Sequence, residues 1–163
     1  MREILFRGKS IITNEWVYGG IVHQTDFYGD IVDRYYIVDG TDTHDYDIGY
    51  AKRVIPETVG QYTGITDTNG TKIFEGDIIQ DDEKYRQEDE KYIVAYDESY
   101  AMFSLMDIDV SVFCAHFHSC DEATVKIIGN IYDSPELIPK EKKMKMYIQP
   151  AEISFYDEEE NER

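Results

Sequence analysis

The stretch Tyr62–Ile79, YTGITDTNGTKIFEGDII, decides how the chain is read. Two apolar runs flank a polar centre of Asp67, Asn69 and Gly70, and a second break follows at Glu75-Gly76-Asp77. Each break is either a site or a bend. The Asn-Gly pair takes the positive φ values of a tight hairpin turn, which other residues adopt only at a steric cost. Gly76 has the same freedom, and a turn aspartate such as Asp77 accepts hydrogen bonds from its own backbone. Every polar residue therefore has a structural task. The stretch predicts a strand ending near Thr66, a hairpin turn, the strand TKIF, a second turn and a strand opening with IIQ.

Moving outward, REILFRGK, EWVYGGIV and DRYYIVDG read as three earlier strands, the last stopped by Asp39-Gly40. Gly19 and Gly20 inside the second suggest a bulge or sharp bend. Pro56 disfavours a central strand at its own position. Downstream, YIVAYDE and AMFSLMDIDVSVFCAHFH are long strand-like runs. ATVKIIGNIYDSPELI reads as a strand, a turn at Gly129-Asn130 and a helical turn near Asp133 or Ser134, with Ser134 as N-cap and Pro135 in the first position. YIQPAEISFY predicts one more strand. The run DDEKYRQEDEK has no apolar face and reads as a solvated loop, and DEEENER as a frayed acidic end.

No segment carries a stripe of period 3.6 over more than three turns; what is ordered has period two or is a short buried run. The expectation is an all-β chain with a minor short helix near the C-terminus, its closely spaced strands forming a small barrel or sandwich.

Four blocks in order, MREILFRGK, EWVYG, VIPETVGQYTGITDTNGTKIFEGDII and IIGNIYDSPEL, resemble the YopX family of phage and prophage proteins, over about Met1–Ile138. The resemblance implies a compact β fold related to SH3-like barrels, a phage or prophage origin and a place in the host cytoplasm. It implies no activity, cofactor or catalytic residue. With it, the chain divides into an N-terminal β segment (1–58) packed on an SH3-like barrel core (59–139), and a C-terminal extension (140–163) outside the recognised pattern.

Composition sets further bounds. The chain has 163 residues, enough to bury a core without staples. Its fourteen tyrosines suit pleated, half-buried surfaces. The net charge is −18: −4 over 1–58 (six basic, ten acidic), −11 over 59–140 (six basic, seventeen acidic) and −3 beyond (four basic, seven acidic). So acidic a surface repels phosphate and anionic membranes, which argues against direct nucleic-acid or membrane binding. The start, MREILFRGK, does not read as a signal peptide, and no apolar run approaches a membrane span. The reading is cytoplasmic, with Cys114 and Cys120 reduced.

Cys114, His116, His118 and Cys120 are all zinc-ligand types at i, i+2, i+4 and i+6. On a strand they share one side, but residues two apart rise ~6.6 Å, so the outer pair stands ~20 Å apart and one tetrahedral ion cannot gather all four. No metal is therefore assigned. Cys114 with His116 as a nucleophilic dyad lacks a third orienting group. Asp39, Asp42, Asp45 and Asp47 do not fit a calcium loop and read as solvated acids. Asp107 and Asp109 are ordinary in so acidic a chain. Lys140, Lys142, Lys143 and Lys145 form a small basic patch, expected to pair with the acids of 157–162. Tyr92, Tyr96, Tyr100 and Phe103 lack the basic surround of a stacking platform and read as packing. No catalytic, cofactor or metal site follows. The expected function is a non-enzymatic, protein-binding or self-associating β module. The alternative is an acidic inhibitor that imitates nucleic acid.

Overall fold

The computed structural model describes residues 1–24, 34–39, 51–81, 91–108, 113–116, 125–139, 147–149 and 152–154. The fold is nearly all β. The chain divides into two compact units, Met1–Gly64 and Ile65–Arg163.

The first unit is built from β1 (Phe6–Lys9), β2 (Trp16–Gln24), β3 (Arg34–Val38), β4 (Lys52–Val54) and, up to Gly64, β5 (Gly60–Thr66), in the order β4-β3-β2-β1-β5, all antiparallel where paired. β2 is shared: Trp16–Gly19 pair with β1 and Gly20–Gln24 with β3. The two glycines mark this change of partner: each stands at the end of its own ladder, and neither ladder shifts register. Gly19 is glycine because a Cβ there would run into the Val38 carbonyl oxygen, whereas Gly20 faces open space. Beyond β1, a single bridge, Ser10 with Val54, ties β1 back to β4. The Ile55 N–H donates to Lys9 O (2.8 Å) and the Ile11 N–H to Arg53 O (3.1 Å). The sheet thus curls on itself around Val17, Ile37 and Val54, with Phe6, Ile21, Tyr35 and Val59 against them. Gly8 fits here because its Cβ position is already 3.0 Å from the Val54 side chain. A 3₁₀ turn at Pro56–Thr58 then leads into β5, with proline in the first turn, where its missing N–H costs nothing.

The second unit opens with the central hairpin. Asp67 to Thr71 join β5 to β6 (Lys72–Phe74), and Gly76 leads into β7 (Asp77–Asp81). Only Gly70 (φ +78°) and Gly76 (φ +82°) take positive φ here; Asn69 does not. The two-residue turn expected from Asn-Gly is therefore replaced by a longer one. It closes through Gly70 N–H to Asp67 O (2.9 Å) and Asp67 N–H to Thr71 O (2.8 Å). The reason is Asp67, whose side chain takes the loop N–H groups and holds Asn69 on the ordinary side of φ.

β7, β8 (Lys91–Asp97), β9 (Met102–Asp107), β10 (Phe113–His116) and β11 (Val125–Asn130) form one antiparallel sheet, ordered β10-β9-β8-β7-β11. This order is compatible with a small SH3-like barrel, but the pairings among the described residues leave the sheet open. Both sides are buried. Ile79, Tyr92, Val94, Leu105 and Val125 pack with Ile73 on one side, and Ile78, Ile93, Met106 and Ile108 with Ile131 on the other. Burial on both faces explains why β8 reads as a continuous apolar run rather than an alternating one.

Three expectations are corrected. The run from Ala101 to His118 is not one strand but contains β9 and β10, paired antiparallel. β11 continues through Gly129-Asn130, and the chain turns only after it. Gly129 is there because Ser134 Oγ lies 2.5 Å from its Cβ position, while Asn130 Oδ1 accepts the Tyr132 and Asp133 N–H groups (3.0 and 2.9 Å) and so holds the turn. The final predicted strand is two, β12 (Tyr147–Gln149) and β13 (Glu152–Ser154), paired as a hairpin with Pro150-Ala151 between them in sequence. The short helix is a 3₁₀ turn, Pro135–Leu137, with Ser134 at the N-cap position but no side-chain capping bond.

Candidate functional site

The polar residues of the central stretch are consumed by structure. Asp67, 5% exposed, accepts the Thr71 N–H (2.8 Å), the Asn69 N–H (2.9 Å), the Asn69 side-chain amide (3.3 Å) and the Ile127 N–H (3.4 Å). Burial raises its pKa, but these donors together outweigh burial and hold the carboxyl below its ordinary value. Asp77, 2% exposed, accepts the Phe74 N–H across the Gly76 turn (2.8 Å). Asp97 does the same for Ser99 (2.9 Å). These carboxylates hold turns.

The other sequence candidates scatter. Tyr92 is in the core, Tyr96 meets Phe103 edge-on across β8 and β9 (5.4 Å, 76°), and Tyr100 is 69% exposed at the turn between them. They form no common platform. Asp39 is exposed at the end of β3, and Asp107 is half-buried on β9. Cys114 and His116 lie on β10, where the register shifts between Phe113 and Ala115. His118, Cys120, Asp42, Asp45, Asp47, Asp109, Lys140, Lys142, Lys143, Lys145 and the acids of 157–162 lie outside the described residues. Among the described residues no group of three or more His, Cys, Asp or Glu side chains is placed to hold a metal. No described helix is long and apolar enough to cross a membrane.

A different surface emerges on the first unit. Side chains alternate along a strand, so the sequence neighbours of the inward Val17, Ile37 and Val54 point the other way. On that outward side Lys9 stands directly across from Trp16, Arg7 from Tyr18, and Arg53 from Tyr36. Each of the three aromatics faces a cation, and the paired outward positions of β1 to β4 include no acid. Arg7 is 6% exposed with its guanidinium 4.5 Å from the Trp16 ring centre; the Lys9 ammonium is 5.6 Å from the same ring. Cation–π contacts of this kind contribute about 0.5–1 kcal/mol at exposed sites and more when desolvated. Residues 59–64 carry no charge, so the division at Gly64 leaves −4 on the first unit and −14 on the second. Sequence reading missed this side because no single segment carries it.

Next to it is the turn between β1 and β2. Ser10 Oγ accepts the Ile12 and Thr13 N–H groups (3.2 and 3.3 Å), and the Asn14 N–H donates to Ser10 O (2.9 Å). Asn14 takes φ +58°, which asparagine tolerates. This bonded turn presents Ile11 at 46% and Ile12 at 87% exposure.

The family model for YopX protein matches residues 5–139. The chain belongs to the YopX family. The match spans the whole of β1 to β11 and the second 3₁₀ turn, and leaves β12 and β13 outside. No match was found among curated proteins. Three chains of solved structures match; one is the crystal structure of protein EF1440 from Enterococcus faecalis. That structure is 24% identical, with a TM-score of 0.48, covering 85% of this YopX-family chain and 100% of its own.

Proposed function

We propose that this YopX-family chain is a phage or prophage accessory protein that works without catalysis in the host cytoplasm, as a β module that binds protein and associates with itself. The observation that carries this reading is the turn Ser10–Asn14. It spends its backbone bonds on rigidity while leaving two isoleucines in water. Each such side chain returns about 1.5–3 kcal/mol on full burial, so an ordered apolar tip favours a protein surface that covers it. The use of Asp67, Asp77 and Asp97 as turn holders supports the same reading, since it takes these acids out of any reactive role. The cation-bearing side of the first unit favours this reading over an imitator of nucleic acid.

Light scattering coupled to gel filtration tests it. Wild-type protein elutes above its monomer mass, and Ile12→Asp shifts it toward monomer without loss of the β circular-dichroism signal. A strictly monomeric wild type that also recovers no host protein from lysate at low or high salt refutes it.

A further inference from the structure

The outward side of β1 to β4 carries an inference beyond protein binding. Three features coincide there. Trp16 and Tyr18 stand two residues apart on one strand face, ~6.6 Å along it, a spacing that matches successive bases of an extended strand. Tyr36 adds a third ring on β3, across from Arg53. Each ring has a cation directly opposite, and the paired positions hold no acid, in a chain with 34 acidic and 16 basic residues. A sheet face kept merely soluble in so acidic a chain has no reason to exclude acids. Rings in alternation with cations are what a single-stranded nucleic acid requires: π faces for bases, positive charge for phosphates.

We propose that this side of the first unit binds single-stranded nucleic acid, its bases stacking on Trp16, Tyr18 and Tyr36 and its phosphates meeting Lys9 and Arg53. Arg7 lies against the Trp16 indole and supports the platform from within. An acidic protein segment could answer the charge but not the ring spacing. A duplex hides its base faces and offers only phosphate. The net charge of −18 opposes any polyanion at long range, so the interaction is short-range, of low affinity and confined to a few nucleotides.

Trp16 is the only tryptophan of the chain, so its fluorescence reports this side alone. The full-length protein is titrated with oligothymidylate of about ten nucleotides, with a duplex of equal length and with poly-glutamate. Binding is also followed by anisotropy of labelled oligonucleotide. Saturable quenching by the single strand is expected, with an affinity that falls with salt at a log–log slope of about −2, as two or three phosphate contacts give. Tyr18→Ala and Arg53→Glu, at exposed positions, each weaken it about fivefold or more while keeping the wild-type circular dichroism. Absence of binding overturns the proposal. So does equal binding of duplex or poly-glutamate, or an affinity that neither variant changes.

Discussion

At Asp67 two opposing effects meet. Burial disfavours its charge, while three backbone N–H groups and the Asn69 amide favour it, and the donors prevail. Its folded-state pKa therefore lies below the unfolded one. The stabilisation is present above the unfolded-state carboxylate range and is lost as pH falls through the folded-state pKa. Asp67→Asn keeps the shape and removes the charge. Its deficit against wild type is expected at neutral pH, at about 1–3 kcal/mol, and to close as pH is lowered through that range. Urea unfolding at stepped pH measures this, and a deficit that stays constant into acid contradicts the assignment. The Ile127 bond also makes Asp67 more than a loop residue, because it fastens the hairpin to β11.

Elements show where sequence reading reaches its limit. The turns at Asp67–Thr71 and Glu75–Asp77 were legible because they answer local sterics, written in the residues that make them. The buried strands β7, β8 and β9 were legible as apolar runs. What no local pattern contains is register. The pairing of Trp16 with Lys9 and of Tyr36 with Arg53 depends on how separate strands align, so the ring-and-cation side became visible only once the sheet was assembled. Gly129 misled for a related reason: it reads as a turn residue but serves close packing against Ser134. The pair Gly19-Gly20 separates the two roles. Gly19→Ala drives a methyl group toward the Val38 carbonyl and is expected to cost about 3 kcal/mol. Gly20→Ala meets open space and is expected to be neutral or slightly stabilising through the unfolded state. Thermal melts of the two variants check this directly, and equal effects would show that the handover from β1 to β3 does not need the close approach.

For the whole molecule, charge is the dominant feature, and it acts differently on the two properties proposed. Copies of a chain carrying −18 repel one another, and salt screens that repulsion. An association driven by Ile11 and Ile12 has an apolar source that salt does not weaken, so screening leaves a net gain. Phosphate contacts at Lys9 and Arg53 lose affinity under the same change, because bound counterions are no longer released into dilute solution. Raising sodium chloride from about 50 mM to about 500 mM, across which the screening length shrinks severalfold, is therefore expected to increase the mean mass by light scattering and to weaken oligonucleotide binding. Thermal stability is expected to rise over the same range, since self-repulsion within each chain is relieved. Ile12→Asp should abolish the salt-driven gain in mass and leave the oligonucleotide response in place, while Arg53→Glu should do the reverse. A mean mass that falls with salt would place charge pairing, rather than the apolar turn, at the contact between copies.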